Sequence, residues 1–324
     1  MKKEDLSLKQ KINQLFITGF DGENYKNNKY FYELLQNGLG GVIFFTRNIK
    51  SSVNIKKLTE DLNKNADIPL FISIDQEGGR VERTEKIHNG KKYLSAKYAY
   101  EMGISFLQNQ TKEIAIELKS YGINMNFAPV LDVNTNTNNP IIGERAFSSN
   151  TDDVINAAKV VINEYKKYKI ITVGKHFPGH GDADKDSHKT LPEIDLSFKK
   201  LEEIHIRPFK EAINIGIPAI MAAHVYYPAI ETNNTPASVS KKIITDILIQ
   251  KLNFKGLVIT DDMEMNGIKG LSKIEACKKA LNAGINMFIF RDTNKEIYNL
   301  TKLLEESVKN GEISEILIDN SVEK

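Results

Sequence analysis

Short apolar runs alternate along this chain with longer stretches in which apolar residues recur every three or four positions. A short run rich in β-branched or aromatic residues reads as a buried strand, and the longer pattern reads as an amphipathic helix. Eight runs qualify as strands: Leu15–Phe20, Gly41–Phe45, Leu70–Ile74, Ile123–Ala128, Ile170–Val173, Ala219–Ala223, Leu257–Thr260 and Ile285–Phe290. Each leads into polar or glycine-bearing residues and then a helix-period segment, the order of βα units on a parallel sheet. Eight such units close a barrel, so the expected fold class is α/β, a single-domain (β/α)8 TIM-type barrel over residues 1–324. Several amphipathic runs stop in glycine just before a strand, as at Asn37-Gly38, Tyr121-Gly122, Ile215-Gly216 and Ala283-Gly284, where C-caps are expected. The longest non-periodic connection, Asp132 to Asn150, has a length that compact domains usually reserve for function. The tail reads as a last barrel helix and a short terminal helix near residues 313–322.

Composition changes this picture little, but it removes whole classes of function. Basic residues number 44 and acidic residues 42, so no excess field exists to hold a nucleic acid backbone. No apolar run approaches the roughly 18 residues that a membrane span needs. The N-terminus, Met1-Lys2-Lys3-Glu4-Asp5, lacks the apolar core of a signal peptide, and a cytoplasmic location is expected. The single cysteine, Cys277, falls on the apolar face of a helical pattern with Ile274 and Leu281 and reads as a buried structural thiol.

Candidate chemistry concentrates at strand ends, where α/β barrels keep their active sites. The stretch from Gly174 to His188, Gly-Lys-His-Phe-Pro-Gly-His-Gly-Asp-Ala-Asp-Lys-Asp-Ser-His, holds three of the six histidines among three aspartates and three glycines. It reads as a loop built for chemistry. A metal site on His176, His180 and His188 is one alternative. A calcium loop starting at Asp182 is less favoured, because Ser187 stands where that loop needs glycine. Strand three runs into Asp75-Gln76-Glu77-Gly78-Gly79-Arg80-Val81-Glu82-Arg83. A carboxylate leaving a buried strand is costly unless it binds something, and sugar hydroxyls pair well with carboxylate acceptors and guanidinium donors. The competing reading is a structural Asp75–Arg83 pair that ties the loop. His224, at the end of strand six, reads equally as a pocket residue or as a hydrogen-bonded core histidine. Strand seven ends in Asp261-Asp262, and alternation lets only one of the two point squarely into a site.

The Gly174–His188 stretch resembles, nearly letter for letter, the signature Lys-His-Phe-Pro-Gly-His-Gly, four variable residues, Asp-Ser-His of family 3 glycoside hydrolases. The long spacing ending in Asp-Ser-His marks the β-N-acetylglucosaminidase branch. Phe45-Thr46-Arg47-Asn48 and Gly143-Glu144-Arg145-Ala146-Phe147 match further segments, although Ala146 replaces the usual serine. The similarity runs from the first strand to the seventh. It implies that Asp261 is the nucleophile, that His188 is the acid/base with Asp186 orienting its ring, and that Asp75, Arg83, Arg145, Lys175 and His176 bind the sugar, with Arg47 and His224 as further candidates. Gly179, Gly181 and Ser187 are expected to give the loop freedom to move.

The implied reaction is the retaining removal of terminal N-acetylglucosamine from peptidoglycan-derived fragments, through a glycosyl-aspartate intermediate. Muropeptides or chitooligosaccharides are the expected substrates, with no cofactor or metal, no nucleic acid or membrane partner, and a monomeric chain. Three alternatives stand beside it: a phosphorylase using inorganic phosphate as acceptor, a Schiff-base aldolase on Lys175, and a sugar-binding barrel without activity.

Overall fold

The computed structural model describes residues 3–88, 91–185, 191–268 and 270–324. Eight parallel strands close a barrel in chain order: β1 Phe16–Thr18, β2 Gly41–Phe44, β3 Phe71–Ile74, β4 Met125–Asn126, β5 Ile171–Phe177, β6 Ala219–Ala222, β7 Leu257–Asp262 and β8 Met287–Phe290. β8 pairs back onto β1, with Ile17 beside Ile289, so no sheet edge is left open. The expected barrel is therefore the fold that forms.

Two apolar layers hold it. Ile17, Ile43, Phe127, Met221, Ile259 and Ile289 belong to a cluster inside the barrel, while Val42, Ile72, Val258 and Phe288, one residue out of phase, pack in the larger cluster under the helices. Helix Thr151–Lys167 shows why its sequence folds this way. Asn150 caps it by accepting from the Asp152 and Asp153 N–H groups, acids occupy its first turn and lysines its last, and Val154, Ala158, Val161 and Tyr165 form the buried stripe. Among the described residues no helix is long and apolar enough to cross a membrane. The terminal helix, Glu315–Glu323, lies close to its expected span and is tied to helix Leu8–Asn13 by Lys11, 2.7 Å from Asp319 and 3.2 Å from Glu315.

Two strands outrun their expected ends, and both do so at the mouth. The run Ile170–Val173 predicts a strand that stops before Gly174, yet β5 continues to Phe177. Lys175 N–H donates to the Pro129 carbonyl at 3.2 Å, and Leu131 N–H donates to the Lys175 carbonyl at 2.7 Å. The backbone following β4 thus extends the ladder under polar side chains that no hydrophobic pattern would assign to a strand. β7 likewise includes Asp261 and Asp262, and its pairing with β8 shifts register between Ile259 and Asp262. An irregularity of this kind bends a strand end and re-aims its side chains.

Cys277 is fully buried, and burial pushes its thiol above the ordinary range, as a structural cysteine requires.

Candidate active site

A cavity of about 390 Å³ opens at the carboxyl ends of the strands. Its floor is the top of the barrel core, Ile43, Phe127, Met221 and Ile289, and its walls carry Asp75, Arg83, Arg145, Lys175, His176 and Asp261. Six of the residues expected from the sequence therefore meet in one place, drawn from four different βα junctions.

One wall is an ion cluster. Lys175 Nζ lies 2.8 Å from Asp75 Oδ1 and 2.6 Å from Glu77 Oε1. Arg145 grips Glu77 with two parallel bonds, Nε to Oε2 at 2.9 Å and Nη2 to Oε1 at 2.8 Å. Burial alone would raise the Glu77 pKa, but Arg145 and Lys175 overcome it and hold the carboxyl well below its usual range. Burial would likewise discharge Lys175, yet Asp75 and Glu77 keep its ammonium above the ordinary lysine value. Arg83 Nη2 approaches Asp75 Oδ2 at 3.5 Å, and its guanidinium lies 5.6 Å from the Phe45 ring centre. Glu77 was not singled out from the sequence, because nothing local shows that Arg145, 68 positions away, closes on it.

The loop that carries Asp75 and Glu77 is held by its own residues. Gln76 N–H donates to Asn126 Oδ1 at 3.0 Å, and Asn126 Nδ2 returns a bond to the Gln76 carbonyl at 2.9 Å. Gln76 Oε1 then accepts from the Arg83 N–H at 2.9 Å, folding the far end of the loop back over the cavity. The turn between them needs Gly78 and Gly79, both at positive φ.

A second wall is organised by Asp132, also missed as a site residue, although it opens the long connection flagged as functional. Its Oδ2 lies 2.7 Å from His176 Nδ1, while Oδ1 accepts from the backbone N–H of His176 at 3.2 Å and of His180 at 2.6 Å. Burial opposes the charge of Asp132, but the two histidines hold its pKa below the ordinary value. The His176 nitrogen facing the carboxylate is thus the protonated one, which fixes the ring on the cavity wall. His180 also lines the cavity, and burial, reinforced by His176, lowers its pKa to about 4, so it is neutral at pH 7.

The start of the loop beyond β5 is tied to its neighbours by hydrogen bonds. The Gly179 carbonyl accepts from Tyr227 Oη at 2.8 Å, the His180 carbonyl from Asn139 Nδ2 at 2.9 Å, and Asp182 Oδ1 from Thr135 Oγ1 at 2.6 Å. A Cβ on Gly181 would stand 1.8 Å from the Val133 carbonyl oxygen, and one on Gly179 would stand 2.6 Å from the His205 Cβ. These glycines permit neighbouring segments of the chain to approach closely. Gly181→Ala should cost about 1–3 kcal/mol as an overpacking change, read as a lower urea midpoint with an unchanged slope. Asp186, Ser187 and His188 lie outside the described residues.

Asp261 completes the site. Leu257 and Ile259 point into the barrel, and Asp261 continues that phase to the cavity. Its Oδ1 accepts from the Asp262 N–H at 2.8 Å. Burial would raise its pKa, but His176 and His224, then the Asp262 N–H and Lys175, hold it below the ordinary value, so the carboxylate is ionised. Asp262 also reaches the cavity, but its Oδ1 is turned to the N–H groups of Glu264 at 3.1 Å and Arg291 at 3.4 Å. Burial, and then the charges of Asp261 and Glu264, push its pKa up to about 7.

The remaining candidates stand behind the cavity wall. Arg47 Nε donates to the Phe20 carbonyl at 3.2 Å and Nη2 to the Arg291 carbonyl at 3.0 Å, so it ties the β1 and β8 loops and stacks behind Phe45, 4.7 Å from the ring centre. His224 is fully buried between Ser238 and the Asp262 carbonyl. Ala146 is buried just after the short 3-10 turn Gly143–Arg145. Among the described residues no group of three or more His, Cys, Asp or Glu side chains is placed to hold a metal ion.

The sequence profile "Glycosyl hydrolase family 3 N terminal domain" matches residues 7–324. The chain belongs to glycosyl hydrolase family 3. Within that family it is 35% identical over 270 residues to a beta-hexosaminidase A of Pseudoalteromonas piscicida, covering 77% of this chain but 45% of that protein. It is 35% identical over 266 residues to a beta-hexosaminidase of Haemophilus influenzae, covering 79% of this chain and 74% of that protein. Among solved structures, a family 3 beta-N-acetylglucosaminidase from Paenibacillus sp. superposes with a TM-score of 0.90 at 35% identity. That superposition covers 98% of this chain and 61% of the other, so the chain spans less than two thirds of some family 3 relatives that it matches.

Proposed function

We propose that the chain is a retaining β-N-acetylglucosaminidase, with Asp261 as nucleophile and His188, oriented by Asp186, as acid/base. The observation that carries the proposal is the Asp261 carboxylate on the wall of a cavity the size of a small-molecule site, a wall it shares with five side chains suited to sugar hydroxyls. Family membership and relatives that are beta-hexosaminidases support it. The ion pairs on Lys175 argue against a Schiff base, since an ammonium held protonated between two carboxylates is no nucleophile.

Release of p-nitrophenol from p-nitrophenyl N-acetyl-β-glucosaminide tests the activity, and proton NMR of the first-formed anomer tests retention. The finer substrate follows from the resemblance: fragments of peptidoglycan that end in N-acetylglucosamine, with water as acceptor. A rate that rises with inorganic phosphate and yields the sugar phosphate would replace hydrolase by phosphorylase. For the acid/base, the expected outcome of His188→Ala is selective. Turnover of a disaccharide should fall roughly 10²–10⁴-fold, the usual worth of general acid catalysis, whereas an aryl glycoside with a good leaving group should lose far less. Equal losses on both would remove His188 from the role.

A further inference from the structure

His224 has no contact with the cavity, yet it is built into the end of β7. It is fully buried, as is Ser238, and the two are 2.7 Å apart through Nδ1 and Oγ. Its other nitrogen, Nε2, lies 3.1 Å from the Asp262 carbonyl oxygen. A carbonyl only accepts, so Nε2 carries the proton, and Nδ1 of the neutral ring must accept from the Ser238 hydroxyl. Ser238 is itself anchored, its N–H donating to the Ala223 carbonyl at 3.0 Å. The tautomer of His224 is therefore set from the β6 side of the barrel.

The peptide group that receives this bond is pinned from the other side as well. Its N–H, that of Met263, donates to the Ile289 carbonyl at 2.9 Å, and the same Asp262 carbonyl also takes the Met265 N–H at 3.0 Å. With Asp262 Oδ1 accepting from the Glu264 and Arg291 N–H groups, the residue after Asp261 is held at its carbonyl and at one carboxylate oxygen. What this leaves aimed at the site is the Asp262 N–H, 2.8 Å from Asp261 Oδ1. The register shift between β7 and β8 falls at this point, where the ladder alone no longer dictates the direction of the peptide.

We infer that His224, oriented by Ser238, is a positioning residue for the nucleophile: by donating to the Asp262 carbonyl it keeps the Asp262 N–H on Asp261 and the carboxylate presented to the cavity. The inference rests on Asp261 being the nucleophile. The charged and titratable groups that act on Asp261 are His176 and Lys175 from β5, His180 from the following loop, His224 from β6, and Asp262 beside it. None of them changes in Ser238→Ala, which removes only the group that selects the tautomer.

The test compares Ser238→Ala, His224→Phe and His224→Gln with the wild type, whose Asp261 carboxyl is assigned in carbon-13 NMR by its loss in Asp261→Asn. Losing one hydrogen bond to the charged form should raise the Asp261 midpoint by about one pH unit in the alanine variant, and the phenylalanine variant, which also removes the direct effect of His224 on Asp261, should shift it at least as far. With the aryl glycoside, kcat should fall about tenfold with KM nearly unchanged, and the acid limb of the rate profile should move to higher pH. Glutamine, whose side-chain amide donates in place of Nε2, should restore most of both. A wild-type midpoint in Ser238→Ala and His224→Phe would overturn the inference, as would a loss of thermal stability with kcat intact. The NMR midpoint reads Asp261 whether or not the chain turns over any glycoside, so a failure of the hydrolase reading and a failure of this one are separable.

Discussion

Asp261→Asn should lower kcat for p-nitrophenyl N-acetyl-β-glucosaminide by on the order of 10⁴-fold or more, the scale seen when a nucleophile is removed from an otherwise intact site. Substrate affinity should change little, because the sugar is expected to be held by Asp75, Arg83, Arg145, Lys175 and His176, none of which depends on Asp261 for its place. Asparagine retains the volume and can still accept from the Asp262 N–H, so the fold should survive and the thermal midpoint should stay near that of the wild type. The wild-type rate should fall as pH drops through the Asp261 pKa. Since the folded value lies below the ordinary one, the acid limb should appear at lower pH than a free aspartate would give. A covalent adduct on the wild type, trapped with a slowly released fluorinated sugar and weighed by intact mass, should be absent from the asparagine variant. Residual activity above about one per cent, checked against background release at the same pH, would point to a different nucleophile.

How far the sequence alone reaches is shown by which residues it placed. Periodicity located all eight strands, because a strand inside a barrel is apolar on both faces and stands out as a short continuous run. It failed where β5 and β7 leave the core. Lys175, His176, Asp261 and Asp262 belong to the ladder but not to the apolar pattern, so the strands appeared to end too early. Six side chains that line the cavity, Asp75, Arg83, Arg145, Lys175, His176 and Asp261, were found, since carboxylates, cations and imidazoles after apolar runs are conspicuous, whereas Arg291 was not. The side chains that hold them were not. Glu77 and Asp132 have buried partners brought near by folding, over 68 positions for Arg145 and 44 for His176, and one sequence carries no trace of such a pairing. Gly179 and Gly181 show the same limit: one sequence does not reveal that the Val133 carbonyl and the His205 side chain leave no room for a Cβ at these positions. His224 fell between its two readings, buried as a core histidine yet bonded to the strand end that carries Asp261.

Glu77→Ala is expected to be the most damaging single change outside the reacting groups. Glu77 is the shared counter-ion of Lys175 and Arg145, and all three side chains are buried or nearly so, at 3%, 2% and 11% exposure. Removing it leaves a buried guanidinium with a carbonyl contact at 3.3 Å to Ile141 and leaves Asp75 as the remaining near anion for Lys175. Stripping one partner from a buried ion pair costs about 3–5 kcal/mol, and the urea midpoint should fall accordingly. The pH dependence has a definite sign. Glu77 is more acidic folded than unfolded, so its stabilisation is complete above the unfolded carboxylate pKa, about 4.3, and is lost as pH falls further through the folded value. The gap between wild type and variant should therefore be full at pH 7 and narrow only below about pH 4. Activity should suffer separately from stability. With Glu77 gone, the freed Lys175 ammonium is drawn to Asp75 and to Asp261, whose charge it already stabilises, and an ion-paired carboxylate is a poorer nucleophile. Glu77→Ala combined with Arg145→Met should regain stability, because it removes the stranded charge, without regaining turnover. Recovery of both together in the double variant would mean that the cluster only holds the wall and takes no part in presenting the sugar.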